Sequence, residues 1–498
     1  MHLHFLRPFT HQLCLKGCIL FLLCGFSYTH LEATPVSEAE TRLIAQRWQA
    51  ANPHLLKSSD EPTLSEITTT SGSLLFRKLA YSSGEALFIA ANKRLPPVLA
   101  ILPRGRISAT HPLLRHLKAD IEARLHEQPA MVDSSWNDCL SQASESSQKP
   151  LLYVFDAKRW DKELNHWNQE SFNRYGQWEE GTLYNRYTPE HYMAGCVAIA
   201  GSAIQQFYAF PTAQSAYTNT TCVVYDAAFH PHPRTLHTRP GAYNWSILPK
   251  QWEKPQALTE EQKELIARIA ANSGVITGTH YAPTASGGST YFLMEGLRLG
   301  AGYATGMEYC PTATTPLRNF LDKLLYAQLR CGAPCVLDLG GKAGNHAVVA
   351  TGIAQDHLQT VYTRLFFGWG GSGDVWYALP TSGSFHSILG VGTFISTDGA
   401  FLPIYGTLTH ADGTPAANYP MTIAGQPTTT DAAGHFAVRI IPTQSVVICA
   451  GTLTSTLTLD AALLRRAATE PWAFENPNAV STDALLQALP SPITLTLR

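Results

Sequence analysis

Apolar and polar positions change rhythm several times along the chain. Leu43, Ile44 and Trp48 recur at helical spacing, and Pro112 to Leu125 repeats that pattern, so a helix is expected at each place. Between them Ser73 to Leu79, Ala86 to Ala91 and Val98 to Leu102 are short apolar runs with a Ser-Ser-Gly turn signal, the pattern of strands. Residues 134–149 are polar and serine-rich, which predicts an exposed linker open to proteolysis. From 151 to 399 one apolar helical stretch, Cys196 to Tyr208, ends at Pro211 and is followed by many short glycine-bounded strands. Beyond 400, Pro403 to Leu408, Met421 to Ile423, His435 to Ile440, Ser445 to Cys449 and Ile493 to Leu497 are strand-like. Turn signals at Asp412-Gly413, Asp431 and Gly434 divide them, which predicts a small all-β sandwich. Arg465, Arg466 and Glu470 lie in a helix-like insert and read as a solvated face.

The start of the chain has a different pattern. Arg7 and Lys16 precede an apolar run, Cys18 to Tyr28, far shorter than the roughly 20 residues a spanning helix needs. This reads as a signal peptide, 1–33, cleaved after Ala33. No later stretch reaches membrane length, so the expectation is an exported chain (secreted, periplasmic or cell-surface) with no integral membrane segment once the signal is removed.

A length of 498 residues suits three domains at roughly 100–200 residues each. Lys plus Arg is 36 against 38 for Asp plus Glu, a net charge of −2, which gives no electrostatic reason to expect a nucleic-acid partner. Apolar residues at 45% and charged residues at 15% exclude wholesale disorder, collagen and coiled coil. Three of the ten cysteines leave with the signal, and the remaining seven are Cys139, Cys196, Cys222, Cys310, Cys331, Cys335 and Cys449. An odd number in an oxidising compartment implies at least one free thiol. Cys331 and Cys335 flank Gly-Ala-Pro, and their spacing leaves open a local disulfide or two buried thiols.

Candidate chemistry gathers in the central zone. Cys196 follows Gly195 at the expected start of a helix, where unpaired amides and the positive dipole end stabilise a thiolate. Such a setting lowers a thiol pKa from about 8.5 toward 3.5–7.5. Alone, such a cysteine is more often a buried structural thiol. Gly344-Asn345-His346-Ala347 places His346 at the head of a strand-like run that Gly352 ends, where it could take the thiol proton and later protonate a leaving amine. Aromatic residues among glycines between Phe367 and Tyr377 suit a flat wall beside an imidazole. In Trp167-Asn168-Gln169 the Gln169 amide could donate to an oxyanion together with the Cys196 N–H. No Cys-x-x-Cys or His-x-x-x-His spacing occurs in this zone, so no metal is expected. No phosphate-binding glycine loop occurs either, so no cofactor is expected. The run Gly340 to Gly344 reads as shaping a cleft.

Taken in this order, with Tyr243-Asn244-Trp245 and Ser286-Gly287-Gly288, these motifs resemble the streptopain family of secreted papain-like cysteine peptidases over about 150–395. Ala86 to Ala91 and Pro96 to Ala100 are similar to that family's prodomain. The resemblance implies an α+β fold: an inhibitory α+β prodomain and linker at 34–150, a papain-like domain at 151–399, and a β-sandwich at 400–498. Tyr405-Gly406-Thr407 and Thr430 to Phe436 in that last zone resemble carboxypeptidase-regulatory-like modules, which are spacers or binding domains. The implied activity is that of an exported cysteine endopeptidase made as a zymogen, with its own prodomain as intramolecular inhibitor and proteins or peptides as substrates. Carried over, Cys196 is the nucleophile, His346 the base and acid, and Gln169 the oxyanion donor. Trp369 is the aromatic beside the histidine, with Asn345 and Gly344 at the cleft.

One departure matters. The family's asparagine before its Trp-Gly-Trp-Gly-Gly is Phe366 here, in Phe366-Phe367-Gly368-Trp369-Gly370-Gly371. Phenylalanine cannot accept the Nδ1 hydrogen bond expected to fix the imidazole, so a backbone carbonyl would have to. This keeps open a peptide-binding pseudoenzyme. A papain-like amidase or transglutaminase also stays open and would want an acidic third member, for which Asp356 and Asp374 are available. A surface adhesin rests only on the sandwich.

Overall fold

The computed structural model describes residues 35–497 apart from 53–55, 57, 59, 128–132, 142–151, 157–166, 168–182, 215–219, 250–256, 304, 311–315, 341–343, 357, 359, 381–387 and 470–479. The expected signal peptide, Gln169, Glu470 and the second half of the expected linker fall outside these residues.

An eleven-stranded sheet crosses the expected boundary near 150 without a break. Thr63–Thr68, Leu74–Ala80, Ala86–Ala90 and Val98–Leu102 form an antiparallel meander. Val98–Leu102 then pairs with Val375–Tyr377, setting Ile101 opposite Trp376 and Ala100 opposite Tyr377. The order continues through Val361–Phe366, His346–Gln355, Cys335–Leu339, Ile388–Ser396 and Thr305–Tyr309, and Leu152–Asp156 pairs with the far end of His346–Gln355. Ala86–Ala90 and Val98–Leu102 are buried at every position, which is why their sequences are unbroken apolar runs rather than alternating ones.

The sheet divides two cores. Along His346–Gln355, Ala347 and Val349 face one apolar cluster while Val348 and Ala350 face the other. The first cluster contains the Cys196–Tyr208, Glu260–Ile276 and Thr290–Leu299 helices. The second joins the N-terminal part, the other face of the sheet and the C-terminal part into one continuous core. The strand runs three residues past Gly352, because a shift in register there keeps pairing alive.

Several expectations change in detail. The first helix, Glu38–Ala51, starts with a Ser37/Glu40 capping box and buries Thr41, Ile44, Ala45 and Trp48, while Leu43 is only half-buried. Ser135–Leu140, expected within an exposed linker, is a helix. Trp136 is buried there and donates to the Leu95 carbonyl at 2.7 Å, so one aromatic side chain ties a polar stretch to the core. All seven described cysteines are free, and the Cys331 and Cys335 thiols point to the Val438 and Ala333 carbonyls, so the local disulfide is not formed.

The C-terminal part has two sheets, one of Leu402–Thr409, His435–Ile440 and Ile493–Thr496, the other of Pro420–Ile423, Gln426–Thr429, Ser445–Ala450 and Leu453–Thr458. It is no loose spacer. Tyr405 is buried and its hydroxyl donates to the Asp322 carbonyl at 3.0 Å, with the Arg330 guanidinium 5.0 Å from its ring centre. Arg439 donates to the Cys331 and Gly332 carbonyls at 2.9 and 2.8 Å. Lys323 reaches the Leu486 and Leu489 carbonyls at the end of the Thr482–Ala488 helix. The insert holding Arg465 is the helix Ala461–Thr469, which buries Ala461, Leu464, Ala467 and Ala468, while Arg465 bonds the Pro442 carbonyl at 2.8 Å. It therefore packs one face and solvates the other.

This shared core predicts that a 34–399 truncation is largely insoluble when expressed beside the parent chain. In the full chain, Tyr405→Ala is expected to lower the apparent unfolding free energy by about 3–5 kcal/mol in a denaturant titration.

Candidate active site

Gly195 makes the approach to Cys196 that other residues could not. Its φ is +88°, and a Cβ there would lie 2.6 Å from the Ser286 carbonyl oxygen. The Ser286-Gly287-Gly288 stretch is therefore the wall against which the chain turns into the helix. Residues 197–206 of that helix are all buried, so Cys196 stands at the end of a rod fixed in the core. Cys196 as a residue is half-buried, and its thiol accepts the Ala347 N–H at 3.5 Å. Two distant segments thus meet, since Ala347 follows His346 at the head of its strand.

His346 is 6% exposed. Its Nε2 lies 3.0 Å from the Phe367 carbonyl oxygen, and the ring makes no hydrogen bond to the thiol. A carbonyl only accepts, so the proton sits on Nε2 and Nδ1 carries the lone pair. The orienting group is thus a backbone carbonyl, and the nitrogen it holds is Nε2 rather than the expected Nδ1. Trp369 stacks on the imidazole at 5.0 Å between centres and 21°, and Phe367 stacks at 5.6 Å and 15°. Phe366 takes no part in that stack. It faces the cluster of the cysteine helix. Gly344 and Asn345 are exposed beside His346. Trp167, two residues before Gln169, is buried and its carbonyl accepts the Gly370 N–H at 3.0 Å.

The N-terminal part covers this corner. The helix Pro112–Glu127 carries His116, Asp120 and Arg124 at four-residue spacing on one stripe. His116 lies 5.5 Å from His346 and 6.3 Å from Trp369, ring to ring. Arg124 pairs with Asp120 at 2.6 Å, and both bond the Tyr377 hydroxyl. His111, ahead of the helix, takes the Leu113 N–H on Nδ1 and meets the Ser372 hydroxyl through Nε2 at 3.1 Å. The signal for this face in the sequence is a polar stripe, His116-Asp120-Arg124, between apolar rows on one helix.

Burial sets the electrostatics. It pushes the Cys196 thiol up, and the N–H groups of Ala347, Val197 and Cys196 only partly offset this. The helix-start effect expected to favour a thiolate is thus outweighed in this closed arrangement. Burial, then the nearby His116, lowers His346 to about 3. Burial, then Arg115, lowers His116 to about 4. Thiol and imidazole are both neutral here.

A carboxyl pair that the motifs did not signal lies on the thiol side. Asp338 is the register partner of Ala347, and the single Thr290 hydroxyl reaches Glu308 at 2.8 Å and Asp338 at 3.2 Å. Burial raises Glu308 to about 7, with Asp338 adding to it, and raises Asp338 to about 6. The Asp338 charge adds to the upward push on Cys196. Of the other acids considered, Asp356 accepts the Leu358 and Thr360 N–H groups and the Tyr362 hydroxyl, away from the ring. Asp374 accepts the Phe367 N–H at 3.2 Å. Among the described residues no group of three or more His, Cys, Asp or Glu could hold a metal ion, and no helix is long and apolar enough to cross a membrane.

No curated protein sequence matches this chain. Among solved structures, a fragment of Prevotella intermedia prointerpain A is similar at 16% identity and a TM-score of 0.45, covering 66% of this chain and 97% of that one. Active wild-type interpain A cysteine protease of Prevotella intermedia is similar at 18% identity and a TM-score of 0.36, covering 49% of this chain and 93% of that one. Residues 178–377 match the model of the peptidase C10 family, a span that holds Cys196, His346 and Trp369. That span is thus similar to the peptidase C10 family, the streptopain family of cysteine peptidases.

Proposed function

We propose that the protein is an exported cysteine endopeptidase made as a zymogen, with 34–150 as its inhibitory prodomain. The observation that carries the reading is the Cys196 thiol at a helix start, 3.5 Å from the amide that follows His346. In the reaction the thiol gives its proton to Nδ1 of His346, and the sulfur attacks the substrate carbonyl carbon. The resulting oxyanion is held by the Cys196 N–H and the Gln169 side-chain amide. His346 then protonates the leaving amine as the C–N bond breaks, leaving a thioester. Water, deprotonated by the same imidazole, hydrolyses the thioester and restores the thiol. Trp369 and Phe367 shield the Nε2 bond from water, while Gly344 and Asn345 line the open side. Phe366 gave the pseudoenzyme reading its ground, and the Phe367 carbonyl weakens it by supplying an acceptor.

Latency has a physical basis in the covered site. The Pro112–Glu127 helix buries His346, and a buried thiol and a buried imidazole both resist charging. An exported chain held neutral in this way would act only after its N-terminal part has been removed.

Two outcomes are expected. Purified 34–498 should lose an N-terminal piece and then hydrolyse an unfolded protein in the presence of reductant. Cys196→Ala should do neither, with hydrolysis lower by about ten-thousandfold or more. Continued hydrolysis by Cys196→Ala would remove that thiol from the mechanism.

The second outcome is a pH dependence. His116 is near 4 when docked and takes its ordinary value of 6.5 when undocked. Its neutral form favours docking, so that contribution is whole above 6.5 and is lost as pH falls toward 4. Undocking should be favoured about 30-fold more at pH 5 than at pH 7.5 by this group alone. Self-processing rates should rise on acidification in the parent, and His116→Phe should flatten that rise. Equal slopes in both would clear His116 of the role.

A further inference from the structure

Phe366 leaves the imidazole without the side-chain acceptor that the related motif supplies, and the acceptor present is a carbonyl within a glycine-rich turn. A backbone carbonyl can orient a base only if the chain on either side of it is held. The turn 368–373 has positive φ at Gly368, Gly370, Gly371 and Gly373, so its backbone is not fixed by side-chain sterics. What holds Phe367, the residue before the turn, is Asp374. The Asp374 carboxylate is 3% exposed and accepts the Phe367 N–H at 3.2 Å, closing the turn seven residues on. A buried carboxylate is costly unless strongly bonded, so its presence beneath a turn needs a reason.

Asp374 is itself well anchored. Val375–Tyr377 begins at the next residue and is paired on both edges, with Val375 opposite Leu365 and Trp376 opposite Ile101. Its position is therefore set by the sheet, and it passes that position to Phe367. Two further bonds pin the rest of the turn, Gly370 N–H to the Trp167 carbonyl at 3.0 Å and Ser372 N–H to the Trp369 carbonyl at 3.2 Å. Gly368 packs so closely on Ile199 of the cysteine helix that a Cβ would lie 2.9 Å from its Cγ2. The turn that orients His346 is thus braced directly against the helix that begins at Cys196.

We propose that Asp374 is a positioning residue for His346. Its carboxylate holds the Phe367 N–H and so the residue whose carbonyl, in the next peptide unit, fixes the ring and its Nε2–H tautomer, leaving Nδ1 free to serve the thiol. Phe367, Asp374 and the Val375–Leu365 pairing beside it belong to the peptidase part, while the Trp376–Ile101 pairing and the His111–Ser372 bond come from the N-terminal part. The inference rests on the peptidase reading above.

The test uses full chains of the parent, Asp374→Ala and Asp374→Asn, each matured by the same added protease. Active sites are counted with an irreversible thiol reagent, so that misfolded protein drops out of the rate. Asparagine keeps an oxygen acceptor for the Phe367 N–H and alanine does not. Asp374→Ala is expected to lose about 10- to 100-fold in kcat per labelled site with KM unchanged, and to show a shifted pH profile. Asp374→Asn is expected to stay within about threefold of the parent. If Asp374→Ala does not fold, Asp374→Leu, of similar size and without an acceptor, is judged by the same criteria. A kcat within twofold of the parent in the acceptor-free variant overturns the inference. So does an equal loss in Asp374→Asn, which would assign the effect to charge. A parent that labels yet hydrolyses nothing overturns the peptidase reading and this inference with it.

Discussion

The strand His346–Gln355 serves two cores at once, and the site follows from that constraint. Because alternate residues of a strand face opposite sides, His346 and Ala347 cannot both face the same core. Ala347 turns to the cysteine helix and its amide meets the thiol, while the His346 ring stacks with Phe367 and Trp369. Cys196 therefore approaches from one layer and the His346 ring is supported from the other. Both layers must be packed for the pair to be aligned.

That requirement ties the three parts of the chain together. The second core is not contained within the peptidase segment. It is completed by the N-terminal meander on one edge of the sheet and by the C-terminal sandwich. Tyr377 shows the coupling in a single residue, being paired to Ala100 through its backbone and bonded to Asp120 and Arg124 through its hydroxyl. Removal of the N-terminal part would open a sheet edge at Val375–Tyr377, directly beside the residue that anchors the glycine turn.

Electrostatics in the closed state point the same way. Burial raises the thiol and lowers the imidazole, and nearby carboxyls at Asp338 and Glu308 are themselves held high by burial. In this setting solvent access controls charge, and the dipole of the cysteine helix is a secondary influence. Under the proposed reading, a covering helix that carries its own histidine against His346 would respond to acid as well as to proteolysis.

Much of this was legible in the residues. The apolar run after Gly195 determined the cysteine helix, and the unbroken runs at Ala86 and Val98 determined fully buried strands. The motifs around Cys196, His346 and Trp369 carried the family resemblance, since their residue types and order are local properties of the chain. Contacts between distant segments could not be read this way. That Trp136 would pull a polar stretch into a helix, that His116 would lie on His346, and that the C-terminal part would share a core depend on which surfaces meet after folding. The same holds for the acceptor on His346. A side chain at position 366 is visible in a sequence, whereas a carbonyl is present at every residue, and only the turn held by Asp374 decides which one faces the ring.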